Sequence, residues 1–286
     1  AAEQLRGLQQ VSARLEQKGA DLIVWTESSY PYAVARQQTH DFPLSSRARI
    51  RRGFSAPLIL GAVTFNAEDR SEYPYNSALM LASDGHFTAR FDKMFLLIFG
   101  EYIPFVDTFP ALKKILPSTT GQFSRGAGVV EFPFEHDGQT YRLGPMICYE
   151  DIVPDFGRKL AAFHPHLIVN ITNDAWFGDT SEPWEHLALS VYRAVEMRAD
   201  MVRAVNTGVS TFIDATGKVY DETYAIDPQI HPRGADGLLN EVALVAGGYT
   251  FYARHGDVLG YGCVVLALLL WLVWPRLRRR RAQPQP

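Results

Sequence analysis

Leu22–Ser28 reads LIVWTES. Four apolar residues in a row are too few for a buried helix and fit a short strand covered on both faces. A carboxylate, Glu27, stands just past its end. The arrangement recurs twice downstream. His86–Phe91 is a strand pattern that leads to Lys93, and Tyr141–Ile147 is one that leads to Cys148. Residues just past strand ends are where α/β folds gather polar groups into a site. Glu27, Lys93 and Cys148 are therefore the first candidates for chemistry.

The rest of the chain supports the same class. Leu5, Leu8, Val11 and Leu15 recur at helical spacing, closed by Gly19. Leu58–Phe65 and Ser77–Leu81 read as strands, with Ser83-Asp84-Gly85 turning into the strand before Lys93. Val129–Phe132 pairs with Tyr141–Ile147 around His136-Asp137-Gly138. Pro104–Gly128 reads as a long loop with a short helical piece at Ala111–Leu116. Helices are expected at Phe156–Phe163 and Glu185–Ala199. Further strands are expected at Leu167–Ile171, Met201–Val205, Ser210–Asp214, Lys218–Tyr220 and, last, Leu238–Val245. Strands and helices interleave with hairpins inserted, which gives an α/β fold with a mixed, layered sheet.

A Cys, a Glu and a Lys make a workable set. A thiol is a weak nucleophile until it loses its proton, and a carboxylate in reach can take that proton. An ammonium favours the thiolate and the oxyanion that follows. Other combinations are weaker. His164-Pro-His166 lacks a third ligand nearby, and Arg125–Gly128 is a turn with no helix after it, so no metal and no phosphate-binding cofactor is expected. Asp174 reads equally as a site-shaping residue or as a turn cap.

Charge is unevenly placed. The net charge is −3, yet Arg276, Arg278, Arg279, Arg280 and Arg281 lie together near the C-terminus; without them 23 basic residues face 31 acidic ones. An acidic body argues against nucleic acid as a partner. Val258–Trp274 carries no charge over 17 residues and ends with Trp271 and Trp274. That length is at the lower edge of a membrane span, and the Arg cluster behind it is the pattern of a cytoplasmic flank. The expected organisation is a body over 1–254, a transmembrane helix over 255–275 and a basic cytoplasmic tail over 276–286. The body would then lie outside the membrane, and the absence of an export signal reads as a chain that is part of a longer protein. Cys148 and Cys263 fall on the two sides of this division, so no disulfide is expected.

The three candidate segments, LIVWTES, FDKMFLLIFGEYIPF (Phe91–Phe105) and GPMICYED (Gly144–Asp151), resemble the motifs of the nitrilase, or carbon–nitrogen hydrolase, superfamily. Within it they are similar to the apolipoprotein N-acyltransferase family. The resemblance extends to NDAWFG (Asn173–Gly178), to His186-Leu187 with Arg193, Ala194 and Glu196, to Asn206–Ser210, and to TFYARHGD (Thr250–Asp257). It departs at Ile98, where the family often has Pro. The resemblance implies a nitrilase-like α-β-β-α sandwich followed by one transmembrane helix. It implies Glu27 as general base, Lys93 as oxyanion-stabilising cation and Cys148 as nucleophile. Glu101, Tyr149, Glu150, Asn173 and Trp176 are implied as site-supporting or substrate-binding residues. The activity implied is ping-pong N-acyl transfer from a phospholipid, through a Cys148 thioester, to the amine of a diacylglyceryl-lipoprotein. The location implied is a bacterial inner membrane, with the catalytic body on the periplasmic side. Met94–Phe99 reads either as an apolar arm toward lipid or as a buried strand. The alternatives are a membrane-tethered amidase acting on a small substrate and a binding domain without catalysis.

Overall fold

The computed structural model describes residues 1–69, 71–106, 108, 122–175, 177–178, 180–225 and 237–281. The helical piece expected at Ala111–Leu116, together with Trp176, lies outside them.

Two sheets pack face to face between helices. The first sheet holds β1 (Ile23–Val24), β2 (Val34–Ala35), β3 (Leu58–Phe65), β4 (Tyr75–Leu81) and β5 (Phe87–Asp92), in the order β1-β3-β4-β5 with β2 also on β3. The second holds β6 (Phe132–His136), β7 (Gln139–Ile147), β8 (Leu167–Asn173), β9 (Asp200–Asn206), β10 (Gly208–Ile213) and β11 (Val219–Ala225), in the order β11-β10-β9-β8-β7-β6. Helix α1 (Ala2–Gln17) covers the first sheet; α2 (Pro154–Ala161) and α3 (Glu182–Met197) pack with the second.

Alternation along the strands explains the continuous apolar runs. Leu58, Leu60, Leu79 and Leu81 point to α1 and meet Leu5, Trp25 and Phe54. Ile59, Ala78, Met80 and Phe91 point the other way and meet Phe132, Met146 and Phe156. The centre of the first sheet is thus buried on both faces, so β3 and the second half of β4 carry apolar residues at nearly every position. Trp25 illustrates the fit: its ring is buried under α1 and its Nε1–H donates to Ser12 Oγ at 2.9 Å.

Strand direction places the site. β1 and β3 are parallel, and the two antiparallel steps β3–β4 and β4–β5 return β5 to the direction of β1. Residues after β1 and after β5 therefore leave by the same edge, and residues at the start of β4 begin there.

Three expectations are revised. Leu238–Val245 forms no strand. It is extended, with Leu238, Val242 and Leu244 turned toward the body and their neighbours exposed. Ala243 N–H donates to the Asp200 carboxylate at 2.8 Å. One-sided burial of an extended chain gives the same period of two as a strand. The hairpin strand expected at Val129–Phe132 runs instead over Phe132–His136 as an edge strand, where Pro133 is tolerated. Its turn is Asp137-Gly138 at φ 48° and 73°, the two-residue geometry that matches strand twist.

The third concerns the C-terminus. A helical turn, α4 (Phe251–His255), ends at Gly256, and α5 runs over Val258–Arg281. The helix thus starts three residues later than position 255 and continues through the Arg cluster. Among the described residues no helix is long and apolar enough to cross a membrane. The uncharged 17 residues rise about 25 Å at 1.5 Å each, short of a hydrocarbon core of about 30 Å. Leu259, Leu266, Leu269 and Trp271 are all exposed, so the apolar surface runs around the helix over Val258–Trp274.

Candidate active site

Glu27, Lys93 and Cys148 each leave a strand end, and all three are buried. Lys93 follows β5 directly, with its N–H on the Asn76 carbonyl and its own carbonyl taking the Gly126 N–H, each at 2.9 Å. Glu27 lies on the Thr26–Ser28 turn after β1, which rests on Gly61 of β3. A Cβ there would sit 2.5 Å from Thr26 O and 2.6 Å from both Glu27 Cα and Ser28 N. Only glycine lets that backbone lie so close.

Lys93 Nζ lies between two carboxylates, 3.3 Å from Glu27 Oε1 and 2.8 Å from Glu101 Oε2. Asn76, at the start of β4, bridges the same pair from the other side. Its Nδ2 donates to Glu27 Oε1 at 2.6 Å and to Glu101 Oε1 at 2.8 Å. One amide supplies two hydrogens, so both bonds form at once. Asn76 and Gly61 are site residues that sequence reading passed over. The one available signal was position: β4 is antiparallel to its neighbours, so its first residues face the ends of β1 and β5.

Glu101 also ties down the loop beside the site. Its Oε2 accepts Leu97 N–H at 2.9 Å, closing a turn that leaves Ile98 and Phe99 exposed, with Phe99 at φ 63°. Phe105 is exposed nearby in sequence at 74%. Met94–Phe99 is neither wholly arm nor buried strand. Leu96 is buried and Phe95 packs edge-on against Phe156 at 6.1 Å, while Ile98 and Phe99 face outward.

Cys148 opens a 3-10 turn, Cys148–Ile152, at φ 54°. Glu150 holds that turn against the Lys93 segment. Its Oε1 accepts Met94 N–H at 2.7 Å and Phe95 N–H at 3.1 Å, and its Oε2 accepts Ile147 N–H at 2.9 Å. Tyr149 is half-buried against the main core. Asn173 sits apart from the triad in its bonding. Its Oδ1 takes Ala175 N–H at 3.2 Å and Asn206 Nδ2 at 3.4 Å, a turn role at the end of β8. His164 stacks on Tyr249 and His166 Nδ1 accepts Arg142 N–H, so those two serve packing and a loop.

The electrostatics of the three groups are linked. Burial, then the Glu27 charge, pushes the Cys148 thiol well above its ordinary value, and Lys93 opposes them. The resting sulfur is protonated. Burial also raises Glu27, with Glu101 adding to it against Lys93 and Asn76. A carboxylate so raised is a better base for a thiol proton. Lys93 stays an ammonium: burial disfavours the charge, but Glu27, Cys148 and Glu101 more than compensate. Burial brings Glu150 up to about 7, with the Ile147 N–H, Lys93 and the N–H groups of Phe95 and Met94 working against the rise.

A two-sheet sandwich with a Glu, a Lys and a Cys buried just past strand ends defines a class. The carbon–nitrogen hydrolase family model matches residues 1–232, and the chain belongs to that family. Its relatives point more narrowly. It is 33% identical over 252 residues to an apolipoprotein N-acyltransferase of Geobacter metallireducens, covering 88% of this chain and 45% of that protein. A protein of the same name from Sinorhizobium medicae is 38% identical over 212 residues, covering 70% of this chain and 37% of the relative. The chain thus spans about half the length, or less, of the curated relatives it matches. Among solved structures, an amidase of Nesterenkonia sp. AN1 superposes with a TM-score of 0.55 at 19% identity, covering 79% of this chain and 81% of the amidase. A glutamine-dependent NAD+ synthetase of Acinetobacter baumannii gives 0.55 at 16% identity over 79% of this chain and 41% of the synthetase. These two likenesses concern the fold.

Proposed function

We propose that the chain is the catalytic part of an N-acyltransferase that moves an acyl chain from a phospholipid to the amine of a diacylglyceryl-cysteine at a lipoprotein N-terminus. The observation that carries the reading is Lys93 Nζ held between Glu27 and Glu101, on a segment that Glu150 of the Cys148 turn binds through the Met94 N–H. In the first half-reaction Glu27 takes the Sγ proton as sulfur attacks the ester carbonyl. Lys93 stabilises the oxyanion. The tetrahedral intermediate collapses, the C–O bond breaks, and the departing lysophospholipid oxygen takes the proton back from Glu27. A thioester remains. In the second half-reaction the acceptor amine attacks that thioester, Glu27 accepts its proton, and the C–S bond breaks. The proton then returns to sulfur.

A lipid donor agrees with two apolar surfaces. Ile98, Phe99 and Phe105 are exposed next to the segment that carries Lys93, and α5 is apolar on all sides over Val258–Trp274. Large exposed apolar patches are costly in water. We take the apolar Val258–Trp274 stretch of α5 as a lipid-contacting anchor that holds the catalytic body over 1–254 at the periplasmic face of a bacterial inner membrane. Tyr149 is taken to contact the substrate.

The test is a product assay with phospholipid and a synthetic diacylglyceryl-cysteine peptide. Lysophospholipid and the N-acylated peptide should appear in equal amounts. Ammonia release from small amides, with no lysophospholipid formed, would overturn the reading in favour of an amidase.

A further inference from the structure

Behind the nucleophile turn lies a second polar cluster that the acyl-transfer mechanism does not use. It joins Asp151 of the 3-10 turn, Asp174 after β8, His186 of α3 and Arg203 of β9, all buried. His186 Nε2 is 2.8 Å from Asp151 Oδ1 and Nδ1 is 3.1 Å from Asp174 Oδ1. A carboxylate only accepts, so both ring nitrogens donate and the ring is an imidazolium. Arg203 Nη2 lies 3.5 Å from Asp174 Oδ2, and Glu182, in the first turn of α3, lies 3.9 Å from His186 Nδ1. Asp174, Glu182 and His186 bring ligand atoms within 4.8 Å of one another. Arg203 and the imidazolium already supply the cations that balance Asp151 and Asp174.

The cluster ends on the nucleophile. Asn170 Nδ2 donates to Asp151 Oδ2, and the same nitrogen reaches the Cys148 carbonyl oxygen at 3.4 Å. Strand register sets Asn170 opposite Arg203. Cys148 is in the left-handed region, where a residue with a side chain is strained and persists only when its surroundings hold it. Asp151 and Asp174 both act on the sulfur as charges that disfavour a thiolate.

We propose that His186 is a positioning residue for Cys148: bound between Asp151 and Asp174, it fixes the left-handed nucleophile turn through Asp151 and Asn170 and offsets the two carboxylate charges that oppose sulfur ionisation. This rests on Cys148 as the nucleophile. Burial works against the ring's charge, but Asp151 and Asp174 outweigh it and push His186 up to about 9, with Arg203 opposing. The cation therefore persists through neutral pH.

The experiment follows Cys148 alkylation by iodoacetamide against pH, read by peptide mass spectrometry so that Cys263 is scored separately. His186→Gln keeps a polar side chain without the charge. It should move the profile to higher pH and slow alkylation about tenfold at pH 7, the effect of a shift of about one unit. His186→Lys should recover much of that loss. A His186→Gln profile that superimposes on wild type overturns the proposal, and so does a slower rate with the midpoint unmoved, which is packing alone. Should His186→Gln fail to fold, NMR titration of the wild-type ring decides: a ring neutral at pH 7.5 overturns the proposal, and one charged to about pH 9 supports it. Glu27→Gln keeps the two readings apart. If it retains full acyl transfer the triad reading fails, whatever the His186 profiles show.

Discussion

Gly61→Ala is the sharpest test of how the fold places the general base. The new methyl would lie 2.5 Å from Thr26 O and 2.6 Å from Glu27 Cα and Ser28 N. All three are backbone atoms, so no side chain can rotate away. Thr26–Ser28 must retreat by about 0.5–1 Å to restore ordinary contact. Glu27 moves with it, away from Lys93 at 3.3 Å and from Asn76 at 2.6 Å. A misplacement of about 1 Å costs on the order of 100-fold in rate. Overpacking of this kind costs about 1–3 kcal/mol, or roughly 2–10 °C in Tm for a domain of this size. The assay is the initial rate of Cys148 acylation by a soluble thioester donor, read by intact mass, beside a thermal melt. Wild-type rate and wild-type Tm together would refute the account of Gly61. A lowered Tm with an unchanged rate would show that Glu27 is not the base.

Because Glu27 is raised above its ordinary 4.5, the acid limb of kcat/KM for acylation should have its midpoint above that value; a pH–rate profile placing it at or below 4.5 contradicts the assignment. His186 is raised from 6.5 to about 9, so its contribution to stability is fully present below 6.5 and is lost as pH rises through about 9. Melts at pH 6, 8 and 10 should show a fall of several degrees spread over both intervals, smaller in His186→Gln. Replacing the exposed Ile98 and Phe99 with Ser should slow acylation by phospholipid vesicles about tenfold or more while leaving a short soluble thioester donor within about twofold; equal slowing of both donors removes the lipid role of that turn.

How much of this was legible in the sequence depends on what each element answers to. The strand end carrying Glu27 was readable because burial on both faces gives an unbroken apolar run that a carboxylate ends visibly; Lys93 and Cys148 were readable as polar groups just past strand patterns that end in Phe91 and Ile147. Asn76 gave no such signal. It matters because two antiparallel steps bring the start of β4 to the edge where β1 and β5 finish, and pairing order is not written in a local window. Gly61 sits inside an apolar strand where glycine looks like a weakness, and only the approach of the Glu27 turn explains it. His186 was noticed as part of a motif, but its partners are 12 and 35 residues away in sequence. Leu238–Val245 misled for a physical reason: burial on one side produces strand-like alternation whether or not a ladder forms. The helix at the C-terminus was legible as apolar and Arg-flanked, while its start at Val258 depended on the break at Gly256.

The central claim is that Cys148 carries the acyl group. Incubation of the chain with phospholipid, followed by intact mass and peptide mapping, measures this directly. One acyl chain should be added, mapped to Cys148, released by hydroxylamine as a thioester, absent from Cys148→Ser and retained in Cys263→Ser. An adduct of the same mass persisting in Cys148→Ser would contradict the account.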